Sequence, residues 1–170
     1  MRTNMPLFIF ALLTSFVSLN GFAACLGAEP IDAARTFYNK HQDFHFGNPS
    51  KVEGAVSERL HNALMAEYMC PKGDLCALET VPWTDAQDGD IGEPVTFTLV
   101  SSSKVTAVVL MHYVFVLSPT EQRPRSVKIH LERKSQNSCW VVSDLITPSG
   151  QSVVTFIENW HAKYGKRPNE

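Results

Sequence analysis

Apolar residues recur at helical spacing from residue 31 onward. Ile31, Ala34 and Phe37 follow one another at intervals of three residues, directly after a proline. Proline is favoured in the first turn of a helix, and the Gly-Asn-Pro sequence at residues 47–49 is a strong stop signal. The spacing therefore predicts a first helix over residues 30–46.

The start of a second helix can be assigned in two ways. Ser50, followed three residues later by Glu53, has the spacing of a capping box. Gly54 weakens that start, and Ser57 is a second candidate for the capping residue. The apolar stripe of this helix consists of Leu60, Leu64 and Tyr68.

From residue 94 the apolar period changes to two, which is typical of β-strands. Serines 101–103 suit a hairpin turn, a polar connector covers residues 119–124, and Gln136 with Asn137 reverses the chain once more. We expect an antiparallel meander of four strands, followed by an amphipathic helix that begins near Val153 and stops at Gly165. The predicted strands cover residues 95–100, 104–118, 125–134 and 139–146.

The predicted second strand is apolar on both faces. Val109 and Met111 lie on one face, and Leu110 and Val114 lie on the other. An antiparallel strand with one wet face shows cleaner alternation. We therefore expect helices to cover one face and a loop or a partner to cover the other. The fold class is α+β, with N-terminal helices packed on a curved four-strand antiparallel sheet and a C-terminal helix.

Composition limits the classes of function. The chain has 170 residues, of which 44% are hydrophobic, enough for the core of a single folded domain. Its net charge is −2, so it lacks the basic excess of a dedicated nucleic-acid binder.

The first 24 residues have the pattern of a secretory signal peptide. Arg2 precedes an apolar run over residues 7–19, and Gly21 and Ala23 are small residues suited to cleavage after Ala23. The run is shorter than the ~20 apolar residues that cross a bilayer. We expect a periplasmic protein with one domain over residues 25–170 and a core over residues 30–165.

The four cysteines fit an oxidising compartment. Cys70 and Cys76 bracket a short loop containing Pro and Gly, which makes a local disulfide geometrically easy. Cys25 either pairs with Cys139 or is lipidated, since residues 21–25 (GFAAC) resemble a bacterial lipobox with Phe in place of the usual Leu. In the lipidated form the protein is a membrane-anchored lipoprotein. No C-x-x-C motif is present, and no metal or other cofactor is expected.

Three short motifs carry a resemblance to a known superfamily. They are ARTFY at residues 34–38, WTDAQD at residues 83–88 and CWVVSD at residues 139–144. Together with the order of elements, they resemble the nuclear-transport-factor-two-like (cone fold) superfamily, in the exported bacterial branch of unknown function that includes YbjP-type lipoproteins. The resemblance implies a conical cavity between sheet and helices and homodimers through the outer sheet face. It implies no activity, because this fold hosts both enzymes and binders.

The candidate site residues fall in three places. The loop at residues 83–88 could orient a polar ligand or a cation at the cavity mouth, or it could be held only by its own hydrogen bonds. His112 is a titratable group in an apolar strand, and the sequence favours a core histidine with a satisfied hydrogen bond over a cavity residue. Asp144 follows Trp140 at even spacing on the last strand, so both should face one side of it. Asp144 is either an acid of the cavity or a strand-end cap or salt-bridge partner. The candidate ligand- or partner-binding residues are Tyr38, Trp83, Asp85, Gln87, Asp88, His112 and Asp144.

The remaining patterns do not predict a functional site. His41 and His45 would share a helix face, but the Glu of H-E-x-x-H is absent, so we interpret both as structural or surface residues. No nucleophile motif is found, and no catalytic residue is assigned.

The sequence favours a non-catalytic exported module that binds a small ligand or an envelope protein. One alternative is a periplasmic immunity protein that neutralises a toxin, and another is an isomerase or dehydratase with an Asp/His/Tyr set in the cavity. We further expect Trp140 and Trp160 to be buried and residues 85–90 to be largely exposed.

Overall fold

The computed structural model describes residues 25–71 and 75–165. The predicted signal peptide at residues 1–24 lies outside the described residues. The elements, in chain order, are helix α1 (Pro30–Lys40), a short 3-10 helix (Pro49–Val52), helix α2 (Glu58–Tyr68), strands β1 (Asp90–Ser102), β2 (Thr106–Ser118), β3 (Glu121–Glu132) and β4 (Val141–Ile146), and helix α3 (Val153–Tyr164).

The four strands form one antiparallel sheet in the order β1-β2-β3-β4. At the centre of the sheet, Met111 of β2 lies between Phe97 of β1 and Val127 of β3. The helices precede and follow this meander, which confirms the predicted α+β class.

The core lies between one face of the sheet and the helices. Burial of each large apolar side chain contributes about 1.5–3 kcal/mol, so this interface is the main source of stability. The largest side chains with almost no exposure are Trp83, Trp140, Phe37, Leu60, Met111, Ile129, Leu131, Leu145 and Ile157.

Helix α2 begins at the second of its two candidate caps. The Ser57 side chain accepts a hydrogen bond from the Leu60 amide at 3.2 Å. The Ser57 amide also donates to the carbonyl of Val142 on β4, at 2.8 Å, which attaches the start of the helix to the sheet. The predicted capping box of Ser50 and Glu53 is wrong, because that segment forms the 3-10 helix. The side chain of Asn48 caps this short helix.

Helix α1 is shorter than the predicted span of residues 30–46, because it ends at Lys40. The carbonyl of Gln42 accepts a hydrogen bond from the Trp83 indole at 2.7 Å, and the Phe44 ring packs 5.5 Å from that of Phe37. These tertiary contacts hold residues 41–46 in a turn. His41 and His45 therefore do not share a helix face.

Two strands extend into segments predicted as loops. β1 begins at Asp90 rather than at residue 95, and β3 begins at Glu121, so the turn between β2 and β3 is short. Pro124 lies within β3 opposite Val114. Proline is tolerated there because β4 pairs only with residues 128–132 of β3, so this part of β3 has one neighbouring strand.

Both disulfides considered in the sequence analysis are present. Cys70 and Cys76 are bridged with their Cα atoms 6.1 Å apart. Cys25 and Cys139 are bridged at 5.3 Å across 114 residues of sequence. Next to the second bridge, the Trp140 indole donates to the carbonyl of Ala28 at 3.1 Å, so the start of the described chain is fixed to the sheet.

Two burial predictions are only partly confirmed. Trp140 is buried, but Trp160 is half-buried, with its ring centroid 4.6 Å from that of Tyr164. On β2 the inner face is buried, whereas Leu110 and Val114 on the outer face are half-exposed. No described element covers this outer face. The prediction that both faces of β2 are covered is therefore confirmed for the inner face and wrong for the outer face within the described residues.

None of the described helices is long and apolar enough to span a membrane.

Candidate functional site

Side chains fill the space where the sequence analysis placed a conical cavity. Trp83 is 1% exposed, and the Tyr38 ring meets it edge-on with centroids 5.3 Å apart. The Tyr113 hydroxyl, from the inner face of β2, donates a short hydrogen bond to the Trp83 carbonyl. Trp83 and most of Tyr38 therefore belong to the core.

The loop at residues 81–90 is attached to the fold through its middle residues. Val81 and Ala86 form a bridge that closes the turn, and the Arg125 guanidinium donates to the carbonyl of Thr84. Asp85 adopts a left-handed conformation, with φ 51°. Its carboxylate accepts a hydrogen bond from the Ser149 amide at 2.6 Å, beyond the end of β4. Asp85 is half-buried and holds the loop in place, whereas residues 87–90 are exposed, as expected for most of the run at residues 85–90.

After Asp85 the loop reaches the surface. Gln87 and Asp88 are exposed, as predicted. Gly89 has φ 98°, and a Cβ atom at this position would lie 2.5 Å from Cζ of Phe115. Only glycine allows the backbone to cross this ring so closely, and the crossing brings Asp90 back beside α1.

His112 and Asp144 lie elsewhere. His112 is exposed on the outer face of the sheet, 3.3 Å from the Thr98 hydroxyl, and is not the core residue that the sequence favoured. Asp144 accepts hydrogen bonds from the Ser152 hydroxyl at 2.6 Å and the Val154 amide at 3.1 Å, so it holds the start of α3.

The shared face predicted for Asp144 and Trp140 is wrong. The pairing of β3 with β4 shifts between His130 and Leu131, and this irregularity changes the phase of the alternation. Trp140 and Leu145 are buried, while Asp144 is half-buried. Neither His112 nor Asp144 is brought together with the loop at residues 81–90.

A surface groove lies where this loop meets the end of α1 and the start of β1. Its volume is about 550 Å³, and it is open to solvent. We refer to it as the acidic groove, because its charged lining side chains are Asp43, Asp90 and Glu93. Its other lining residues are Tyr38, Gln42, His45, Phe46, Val81, Trp83, Thr84, Gly89 and Ile91.

The three carboxylates of the acidic groove have no cationic neighbour in its wall. All three residues are exposed, and within residues 25–71 and 75–165 none of them forms an ion pair. No lysine or arginine lines the groove. The Glu93 carboxylate accepts one hydrogen bond, from the Val95 amide at 2.9 Å, which leaves its charge without an opposite charge beside it.

His45, which the sequence pattern indicated as a structural or surface residue, is a buried residue in the wall of the acidic groove. It is 8% exposed, and both its ring nitrogens are buried without a hydrogen-bond partner. The ring lies 3.9 Å, centroid to centroid, from that of Phe46, which is 59% exposed. Burial lowers the pKa of His45 to about 4, against a smaller opposing effect of Asp43. The flanking Phe44 and Phe46 were the available sequence signal for a buried ring.

Tyr38 also lines this groove, although it is only 7% exposed. Burial raises the pKa of its hydroxyl, and the negative charge of Glu93 acts in the same direction. The groove therefore combines unpaired negative charge, aromatic surface and a neutral imidazole. In the described parts of the chain, no cluster of three or more His, Cys, Asp or Glu side chains has the arrangement of a metal site.

A second recess, of about 470 Å³, lies between the ends of α2 and α3 beside the disulfide loop, which we define as residues 70–76. Met69 and Leu75 are at least 70% exposed here, and Tyr164 is 55% exposed. This surface is more apolar than the acidic groove, and it carries none of the residues assigned from the sequence.

Comparison of the chain with protein-family models, with curated proteins and with solved structures finds no match.

Proposed function

We propose that this chain is an exported binding module of the bacterial cell envelope, with a cone-type fold and no catalytic role. The observation that carries the proposal is the contrast between a filled interior and an open acidic groove. Trp83 and Tyr113 are buried and joined by a hydrogen bond in the interior. The groove offers charge, aromatic surface and hydrogen-bonding groups at the surface instead.

Export is supported by the leader pattern and by two disulfides, which persist in oxidising compartments. The sulfur of Cys25 is bonded to Cys139. One sulfur cannot form both a disulfide and a lipid thioether, so the bridge favours the free periplasmic form over the lipoprotein.

The test of export and ligand binding is to express the full chain and isolate the periplasmic fraction. Intact-mass measurement should give a chain that begins at residue 24 or 25, with four hydrogens lost to two disulfides. Native mass spectrometry of the same sample should then show any ligand or partner that purifies with it. Retention in the cytoplasm with the leader attached would contradict the proposal, and a diacylglyceryl addition on Cys25 would establish the lipoprotein form.

A periplasmic immunity or inhibitor protein is the second candidate function. The exposed apolar residues beside the disulfide loop favour it, because contiguous apolar surface on a small protein is typical of protein interfaces. Met69→Ser and Leu75→Ser together should abolish partner binding in this case and leave ligand binding in the acidic groove unchanged.

The outer face of the sheet is a candidate surface for a homodimer. Leu110 and Val114 are half-exposed there, next to Lys128 and His112. Light scattering after size-exclusion chromatography should give a dimer mass for the wild type and a monomer mass for Leu110→Asp. A monomeric wild type at micromolar concentration would exclude this arrangement.

The isomerase or dehydratase alternative has the least support. It needs His112 or Asp144 in a cavity with an acid or a tyrosine. His112 faces outward, and the Asp144 carboxylate is engaged at the start of α3.

A further inference from the structure

We propose that the acidic groove binds a small organic ammonium compound that carries N–H donors, held by Asp43, Asp90 and Glu93 and by the imidazole of His45. This ligand class rests on the proposed function and makes it more specific. Three features of the groove support it, namely its charge, its unpaired histidine and its aromatic lining.

The negative charge of the groove indicates a positively charged ligand. Three carboxylates line one recess, and no arginine or lysine side chain lines it with them. A groove whose charged side chains are all carboxylates attracts a cation and repels an anion. Charge-assisted hydrogen bonds to carboxylates are about twice as strong as neutral ones, so N–H donors on the cation add directly to the attraction.

The buried histidine gives the second, independent indication. A neutral imidazole has one donor and one acceptor nitrogen, and in His45 neither has a partner. Buried polar groups in folded proteins nearly always have one. The ring lies in the wall of the acidic groove and also in the wall of a smaller recess of about 190 Å³ on its other side. An ammonium N–H in the groove would supply the missing partner of the acceptor nitrogen.

Access to His45 depends on Phe46. The exposed Phe46 ring lies against the imidazole in a turn, followed by Gly47 with φ 80°. Binding requires this ring to rotate away from His45, so that the imidazole becomes accessible from the groove. The Phe46 ring, which is exposed, also presents an aromatic face that attracts a cation.

The experiment uses the mature, disulfide-bonded protein and 1,4-diaminobutane as the probe. Calorimetric titration at pH 7 should show saturable binding that weakens as salt is added. 1,4-Butanediol has the same chain without charge, and succinate carries the opposite charge, so neither should bind. Tetramethylammonium is a cation without N–H groups and should bind at least tenfold more weakly.

The variants separate the two kinds of contact. Asp90→Asn combined with Glu93→Gln should weaken binding of the diamine at least tenfold, and His45→Phe, which keeps a ring in place, should weaken it by a similar factor. Asp88→Asn is the matched control, because this exposed acid belongs to the same loop and does not line the groove. The ¹⁵N chemical shifts of the His45 ring should move when the diamine binds.

Several results would overturn the inference. They are a wild type that does not bind the diamine at 10 mM, unchanged binding by the Asp90/Glu93 variant, equal binding of tetramethylammonium, and unchanged binding by His45→Phe. A periplasmic protein whose groove binds succinate or the diol instead would refute the ligand class and leave the proposed function standing. A protein that remains in the cytoplasm would refute the proposed function whatever the titrations show.

Discussion

The acidic groove and the segment that follows the disulfide loop each involve a titratable side chain with little exposure, and the two side chains are in opposite situations. In the second region, the carboxylate of Glu67 on α2 accepts hydrogen bonds from the amides of Ala77 and Leu78, at 3.1 and 2.7 Å, and lies 3.1 Å from the His161 ring. At the acidic groove, both nitrogens of His45 lack a partner. Both residues line one small recess of about 190 Å³.

This difference separates structural polar groups from candidate functional ones. A satisfied buried carboxylate orders the chain around it, and its removal leaves backbone donors unpaired. An unsatisfied buried imidazole reduces stability, and for His45 we propose that a bound ligand supplies the missing partner. The predictions that follow test this distinction in order of decreasing effect.

Glu67→Ala should lower the free energy of unfolding by about 3 kcal/mol, because two backbone amides and one histidine lose their acceptor. Urea unfolding at pH 7 measures the change. Glu67→Gln retains one acceptor oxygen and should lose about half as much. A loss below about 1 kcal/mol for the alanine variant would mean that Glu67 is not a structural anchor.

His45 should make the protein less stable as the pH falls. Burial lowers the pKa of His45 to about 4 in the folded protein, whereas an exposed histidine of the unfolded chain keeps the ordinary pKa of 6.5. The unfolded chain therefore binds the proton first, and the free energy of unfolding decreases between pH 6.5 and 4 and then levels off. The change amounts to at most about 3 kcal/mol.

His45→Phe should remove this part of the pH dependence. Urea unfolding of both proteins at pH 7 and pH 4.5 gives the difference between the two slopes, in which the contribution of the carboxylates cancels. His112→Gln removes an exposed ring and should leave the slope due to His45 in place. Identical slopes for the wild type and His45→Phe would contradict the burial of the imidazole.

Replacement of Cys70 and Cys76 by serine should cost about 2 kcal/mol, since the bridge closes only a short loop. Thermal unfolding followed by circular dichroism should show a lower midpoint and an unchanged sheet signal. Thiol counting on the unfolded, unreduced wild type is the control, because free thiols there would refute the bridge itself. Diamine binding should be unaffected, which would show that the two regions act independently.

Asp43→Asn with Asp90→Asn should change the free energy of unfolding by less than about 0.5 kcal/mol, because neither carboxylate forms an ion pair in the described chain. The same urea titrations measure it. A loss as large as that of Glu67→Ala would show that the acids of the groove are structural. It would contradict the distinction drawn above between Glu67 and the groove.

Local sequence pattern was sufficient for the elements and their order, because hydrophobic period and stop signals are properties of neighbouring residues. The change of period near residue 94 and the last helix from Val153 are of this kind. The local pattern left two candidate caps for α2, and the structure selects Ser57. The Cys70–Cys76 bridge was also readable, since the loop between the two cysteines is short.

Where contacts with distant residues oppose the secondary structure that the local sequence favours, the distant contacts decide the structure. Helix α1 stops early because the indole of Trp83 binds the carbonyl of Gln42, 41 residues away in the sequence. The shift in pairing between β3 and β4 turned Asp144 away from the face of Trp140, and nothing in the local alternation reports such a shift.

The choice of residues that form the candidate site was the feature least predictable from the sequence, because it depends on long-range packing. Of the residues assigned from the sequence, Tyr38 and Trp83 line the acidic groove, while Asp85 holds the loop to Ser149 and Gln87 and Asp88 lie outside the groove. Asp43, His45, Asp90 and Glu93 carry no motif, and they meet only because the turn after α1 folds back against the start of β1. Sequence spacing fixes which residues share an element, whereas the burial of His45 and the grouping of three unpaired carboxylates arise from the packing of elements against one another.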